Sequence, residues 1–365
     1  IAKGCRIAFA ESVARVKDNL VEVRPTFLCS VPRVLEKLYL GILGNRNAQP
    51  PTKQKLFDWA FSVGEQVGQR RLRGESIPLG LRLQHELATR LVLEKVRAIL
   101  GGRMRFVISG GAPLSPKIAE FFHAAGILVL EGWGLTETSA GTTLNRVDRY
   151  GFGVVGQPVG ATEIKIASDG EVLVRSGAVM QGYWNKPEAT REVLSSDGWF
   201  YTGDIGTFEQ NVLKITDRKK DIIVNAGGKN IAPQNLENKL KATPYISQVM
   251  VVGDKRPYLV ALITLNEENL QRWAASPDVG LAGKSLAELA RAPEVRKLVG
   301  RAIDEVNRHE PSYSSIKKFH ILPADFTQET GELTPTLKVK RKAASEKYST
   351  ILESLYGKEQ GKEAS

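Results

Sequence analysis

From residue 52 to residue 100 the apolar positions recur at helical spacing. Leu56, Ala60, Val63 and Val67 mark one segment, and Leu83, Leu87 and Leu91 mark another. The stretch from Gly74 to Gly80 predicts the break between two helices. The period then changes: Met104, Phe106 and Ile108 alternate with other residues, which predicts a strand. Gly110-Gly111 turns the chain toward Ser115-Pro116, an N-cap and a first-turn proline for a helix that stops near Gly126. Ile127 to Leu130 predicts a second, buried strand. This order is a βαβ unit with parallel strands, whose ligands sit beyond the carboxyl ends of the strands. Both Gly110-Gly111 and residues 132–138 fall at such ends.

Upstream, Val23 to Leu28 predicts a buried strand that leads through Pro32 into a helix. Short strands are predicted at Thr162 to Ile166, Glu171 to Arg175 and Val212 to Thr216, a β-rich subdomain. Farther on, Ile246 to Val252 and Tyr258 to Thr264 read as strands. A Ser285-Leu286-Ala287-Glu288 capping box then opens a helix, and an amphipathic helix runs through Val295, Val299, Ile303 and Val306 and stops before Pro311. The expected fold class is α/β, with a large domain over residues 1–219 and a smaller α+β domain over 220–365.

Composition narrows the chemistry. A chain of 365 residues, 42% of them hydrophobic, can bury a large core and carry a second domain. Cys5 and Cys29 offer neither metal spacing nor a disulfide framework. No apolar run approaches the roughly 18 residues of a membrane span, and Ile1 to Arg6 lacks the plan of a signal peptide, so the expected location is cytoplasmic. The net charge of +11 suits nucleic acid, anionic lipid at the inner face of a membrane or a polyanionic cosubstrate, and its sign alone does not choose among them. No aromatic-interleaved RNA motif or zinc finger points to nucleic acid. The four histidines, His85, His123, His309 and His320, form no convincing Ser/His/Asp or Cys/His set, and each reads as a surface or packing residue.

Five segments carry the candidate chemistry. Gly110-Gly111-Ala112-Pro113 lets a flat ring approach the backbone, with Trp133 able to cover a ring face; a plain strand-to-helix turn is the competing reading. Thr136 offers a hydroxyl to a phosphate, and Glu137 offers a carboxylate to Mg²⁺, which binds through few protein ligands plus phosphate oxygens. Tyr201-Thr202-Gly203-Asp204, Asp217-Arg218-Lys219-Lys220-Asp221 and Leu333-Thr334-Pro335-Thr336-Leu337-Lys338 complete the series. Asp204 alone reads as a turn aspartate, and Lys338 alone as part of a basic tail.

Taken in order, these segments resemble the adenylate-forming (acyl-activating, AMP-binding) superfamily. Trp133-Gly134-Leu135-Thr136-Glu137 matches its aromatic-Gly-x-Thr-Glu motif, and Tyr201 to Asp204 matches its ribose-binding motif. Asp217 to Asp221, followed by Gly227-Gly228-Lys229-Asn230-Ile231-Ala232-Pro233 and Glu237, resembles its crossover between domains. Arg24-Pro25-Thr26, Val31 to Lys37 and Leu333 to Lys338 are similar to the long-chain fatty acyl-CoA synthetase branch.

The resemblance implies part of a large adenylation domain followed by a mobile lid, with ATP, Mg²⁺, CoA and a fatty acid as cosubstrates and cofactors. It implies that Gly111, Ala112 and Pro113 line adenine, that Trp133 stacks on it with Gly134 beside it in the nucleotide site, and that Thr136 touches the α-phosphate. Glu137 is then the metal ligand, Asp204 holds the ribose hydroxyls, Arg218 bonds ribose or phosphate, and Lys220 is the hinge. Lys338 serves the first reaction, and Gly227-Gly228 lines the pantetheine tunnel in the second.

The superfamily's phosphate loop, of the type Thr-Ser-Gly-Thr-Thr-Gly-x-Pro-Lys-Gly, has no counterpart in these residues. The chain is therefore expected to be the carboxyl-terminal portion of a longer ligase, unable to adenylate alone. Two alternatives stay open: an acyl-AMP ligase that serves a carrier protein, and a non-catalytic nucleotide or acyl-AMP binder. Leu337 and Asp217 each stand where the superfamily usually has glycine.

Overall fold

The computed structural model describes residues 4–12, 15–334 and 337–357. The chain divides into two compact units. Unit 1 comprises residues 1–165, 174–200 and 208–214, and unit 2 comprises residues 166–173, 201–207 and 215–365.

Unit 1 opens with helix α1 (Val16–Val23), strand β1 (Phe27–Ser30) and helices α2 (Pro32–Asn47), α3 (Pro51–Leu72) and α4 (Leu79–Ala88). A π-turn, Thr89–Leu93, joins α4 to α5 (Glu94–Ile99). Then come β2 (Phe106–Ser109), α6 (Pro116–Ala124) and β3 (Leu128–Trp133), with short strands β4 (Thr143–Leu144) and β5 (Gln157–Pro158). The sheet order is β1-β2-β3-β4-β5, with β1, β2 and β3 parallel and the last two pairings antiparallel. The predicted βαβ unit is β2–α6–β3. Ser115 occupies the N-cap of α6 with Pro116 behind it, although its hydroxyl makes no capping bond. The core of this sheet packs Leu35, Val107, Ile118, Phe122, Ile127 and Val129, which are almost wholly buried.

The helical layer departs from the pattern-based expectation in one respect. Ala60, Val63 and Val67 are buried, but Leu79, Leu83, Leu87 and Leu91 are 71%, 60%, 52% and 40% exposed. Helix α4 instead buries Ala88 and leads into Val92, Leu93 and Val96. Its leucines repeat at helical spacing on the face that solvent sees, because Ala60, Val63 and their neighbours pack against Ala88, Val92 and Leu93.

A second sheet has the order β6 (Glu163–Ile166), β7 (Glu171–Arg175), β8 (Phe200–Glu209) and β9 (Val212–Arg218), with α7 (Pro187–Val193) between β7 and β8. Unit 2 continues with the hairpin β10 (Ile223–Val224) and β11 (Asn230–Ile231), helix α8 (Pro233–Lys241), and strands β12 (Ile246–Val252) and β13 (Leu259–Leu265). Helices α9 (Glu267–Ala274), α10 (Leu286–Arg291) and α11 (Pro293–Asn307) precede β14 (Ile316–Ile321), and α12 (Arg341–Lys347) and α13 (Ser349–Tyr356) follow it. Strand β13 is central and buried along its whole length, antiparallel to β12 and parallel to β14. The predicted capping box of α10 is made in full: the Glu288 amide donates to the Ser285 hydroxyl, and the Ser285 amide donates to the Glu288 carboxylate.

Candidate functional site

The site residues expected from the sequence fall on both units. In unit 1, loop 110–113 leaves the end of β2, and segment 134–138 leaves the end of β3. The two strands are parallel neighbours with Ser109 opposite Glu131, so both segments emerge at one carboxyl edge. Gly111 has φ +81°, which a side chain would strain, and its loop is tied down when the Gly110 amide donates to the Ser30 carbonyl. Ala112 and Pro113 are half-buried beyond it. Trp133 is the last residue of β3 and is half-buried.

The segment after Trp133 folds back on itself. The Thr142 amide donates to the Trp133 carbonyl, the Ala140 amide donates to the Leu135 carbonyl, and Thr138 bonds Leu135 at both backbone groups. This closure explains Gly134. A Cβ there would lie 1.5 Å from the Ala140 carbonyl oxygen, so any side chain breaks the loop. Thr136 is exposed and heads a single 3₁₀ turn through Thr138.

Glu137 sits in that turn. The Tyr183 hydroxyl donates to its Oε1 at 2.9 Å, and the Met180 amide donates to its carbonyl at 2.7 Å. Tyr183 thus orients the expected metal ligand from 46 residues away, a role that no local spacing signals. No cluster of three acidic, histidine or cysteine ligands occurs among the described residues. One oriented carboxylate with lone pairs to spare fits Mg²⁺, which takes most of its ligands from phosphates and water.

Beneath the two segments lies Glu131, only 5% exposed. The Leu114 amide donates to its Oε2 and the Gly153 amide to its Oε1, each at 3.3 Å. Burial pushes this carboxyl up to about 7 in spite of the two amides. Glu131 therefore staples the exit of the 110–113 loop to the glycine-rich segment around Gly153.

In unit 2 the structure gathers Asp204, Arg218 and Lys338. Asp204 lies inside β8 and is 4% exposed. Its approach is set by Gly203, with φ +69° and an amide that donates to Glu171, and by Thr202, whose hydroxyl donates to the Val172 carbonyl and accepts from the Asp204 amide. Arg218 Nε lies 2.7 Å from Asp204 Oδ1. Lys338 stands at the end of a tight loop: the Leu337 amide donates to the Thr334 carbonyl, the Lys338 amide to the Thr334 hydroxyl, and the Thr334 amide back to the Lys338 carbonyl. Pro335 and Thr336 of this motif lie outside the described residues. Leu337 adopts φ +61°, a conformation in which the superfamily's usual glycine is unstrained. Loss of surrounding water and the nearby Arg218 hold the Lys338 ammonium below the ordinary lysine value, while Asp204 and Asp221 oppose the shift.

The remaining expected residues are placed less tightly. Lys220 is exposed in a 3₁₀ turn, Lys219–Asp221, whose first lysine pairs with Asp169 and Glu171. Gly227 and Gly228 form the exposed tip of the β10–β11 hairpin. The buried Asn225 holds that tip by accepting from the amides of Gly227 and Lys229. Asp217 is buried, accepts from the amides of Arg218 and Gln234, and is pushed up to about 6 by that burial. Arg341, three residues past Lys338, donates to both oxygens of Glu237 at 2.6 and 2.7 Å and to the Val251 carbonyl.

Residues 1–184 match the family model for AMP-binding enzymes, and residues 220–360 match that for the AMP-binding enzyme C-terminal domain. The long-chain-fatty-acid–CoA ligase FadD15 of Mycobacterium tuberculosis is 42% identical over 97% of this chain and 58% of its own length. Long chain acyl-CoA synthetase 7, peroxisomal, of Arabidopsis thaliana is 34% identical over 97% of this chain and 52% of its own. The chain therefore spans little more than half the length of these relatives. Among solved structures, the adenylation domain of a carboxylate reductase from Mycobacterium chelonae superposes with a TM-score of 0.71 at 24% identity, over 96% of this chain and 49% of that one. That likeness shows the fold. The chain belongs to the AMP-binding enzyme family, in its long-chain acyl-CoA synthetase branch.

Proposed function

We propose that these residues serve a long-chain fatty acid–CoA ligase. The carboxylate of a fatty acid attacks the α-phosphorus of ATP, pyrophosphate leaves, and the thiol of CoA then displaces AMP from the acyl group. The observation that carries this reading is the trio Asp204, Arg218 and Lys338. A buried carboxylate anchored by a guanidinium suits two ribose hydroxyls, and an ammonium on a backbone-tied loop suits the charge that grows as one anion attacks another. Gly111, Ala112, Pro113, Trp133 and Gly134 take adenine, and Thr136 takes the α-phosphate. Glu137 would hold Mg²⁺, which offsets phosphate charge when bound. Lys220 is the hinge for residues 220–365, and Gly227-Gly228 serves the thiol step. Action in the cytoplasm, with contact to the inner face of a membrane, belongs to the same reading; no helix of the described residues is long and apolar enough to cross one.

The test uses a protein that joins this chain to a phosphate-loop segment, with palmitate as the acid. Lys338→Ala is expected to slow palmitate-dependent ATP–pyrophosphate exchange by about 100-fold or more, while thioester formation from supplied palmitoyl-AMP stays within about threefold. An unchanged exchange rate removes Lys338 from the reaction. Transfer from palmitoyl-AMP to a carrier-protein thiol in preference to CoA replaces the acceptor.

A further inference from the structure

Helices α3, α4 and α5 border an open cleft of about 450 Å³ on unit 1 that the proposed reaction does not use. Its wall is cationic: Arg71, Arg82, Arg90 and Arg97 line it together with His85, and Glu86 is the one acid among the lining residues. That carboxylate is already engaged by Arg90 at 2.6 Å. Arg97 spends its Nε on the Ala125 carbonyl at 2.7 Å, which leaves its two terminal nitrogens as donors. Gly126 makes room for this guanidinium, since a Cβ there would come within 2.9 Å of it. The side chains of Arg71 and Arg82 make no hydrogen bond or ion pair among the described residues.

Two further details give the wall a shape. The Thr89 hydroxyl is buried and has no hydrogen-bond partner. It opens the π-turn Thr89–Leu93, a helix defect of the kind that gathers at functional sites. Four guanidinium groups around one cleft repel one another unless an anion lies between them, and planar guanidinium forks suit phosphate oxygens. The volume exceeds that of a bare phosphate and leaves space for the organic group that it esterifies.

We propose that this cleft is a binding site for a phosphate monoester, held by Arg71, Arg82, Arg90 and Arg97. Burial, joined by the Arg71 and Arg97 charges, also holds the His85 imidazole below its ordinary value, so the positive charge of the cleft rests on the arginines. The exposed Leu79, Leu83, Leu87 and Leu91 ride on the same helical run. The phosphate can therefore belong to a lipid headgroup at a membrane surface or to a free metabolite.

The experiment measures calorimetric binding of glycerol 3-phosphate to the 365-residue chain at about 150 mM salt, where long-range attraction is screened. Arg71→Gln/Arg82→Gln changes two exposed, unpaired side chains and is checked for an unchanged thermal melt. The double variant is expected to bind about tenfold or more weakly. Sedimentation with phosphatidic acid vesicles separates the sources. Capture that needs both the arginines and Leu83 and Leu87, tested as Leu83→Ser/Leu87→Ser, assigns the site to a lipid headgroup. Soluble binding without vesicle capture assigns it to a free monoester. Equal affinity of the native chain and the arginine double variant for glycerol 3-phosphate, or no binding by either, overturns the proposal.

Discussion

Replacing Glu131 by glutamine isolates the cost of a buried carboxylate. Burial raises its pKa from the ordinary 4.5 to about 7, and each unit is worth about 1.4 kcal/mol, so the ionised form costs the folded chain about 3 kcal/mol. The sign follows from proton counting. Between pH 4.5 and about 7 the folded carboxyl keeps a proton that the unfolded chain has lost. Stability therefore falls as pH rises through that window, and the loss is complete above it. About 2.5 kcal/mol of the effect lies between about pH 5 and about pH 8.

Glutamine keeps an acceptor for the Leu114 or Gly153 amide and cannot ionise. Urea unfolding of the native chain and Glu131→Gln, followed on the transition of unit 1 across that range, cancels every other titrating group in the difference. The gap between the two stability curves should move by about 2.5 kcal/mol in favour of the glutamine variant as pH rises. Parallel curves would refute the buried-carboxylate account, because they would mean that Glu131 ionises in the fold as freely as in the unfolded chain.

The remaining predictions concern groups that hold functional residues in place. Tyr183→Phe removes the hydroxyl that orients Glu137. In the joined protein used to test Lys338, the KM for Mg·ATP is expected to rise about three- to tenfold with the thermal midpoint unchanged; an unaltered KM discards the orienting role. Arg341→Met leaves Glu237 as a buried, unpaired charge and is expected to cost unit 2 about 3 kcal/mol or more in urea unfolding. The double variant Glu237→Gln/Arg341→Met should regain most of that loss, and no recovery would show that Arg341 acts through packing alone.

Periodicity made the βαβ unit around Gly110 legible, because Met104, Phe106 and Ile108 alternate and Ser115-Pro116 marks a helix start. It also located α4, but a repeat of leucines does not say which side of a helix meets its neighbours, and there the repeat faces solvent. Strand β8 was less visible, since Gly203 and Gly206 interrupt the alternation that would announce it. Asp204 could be read only through its motif; that it lies within a strand and binds Arg218 depends on pairing across the sheet. Tyr183, Asn225, Glu131 and the Glu237–Arg341 pair acquire their roles from partners brought together by folding. Glu237 and Arg341 are separated by 104 residues, and no local pattern of charge or polarity registers such a meeting.

The Glu237–Arg341 pair also has a dynamic consequence. Arg341 follows the Lys338 loop by three residues and is fastened at once to helix α8 through Glu237 and to strand β12 through the Val251 carbonyl, while Glu237 itself receives the Val251 amide. Releasing the loop on the Arg341 side therefore exposes a buried charge pair together with a β12 backbone bond. Brief fraying is suppressed in favour of rarer openings that involve α8 and β12 together. In hydrogen exchange, the amides of Lys340 and Val251 should then share one protection factor and lose it together when Arg341 is replaced.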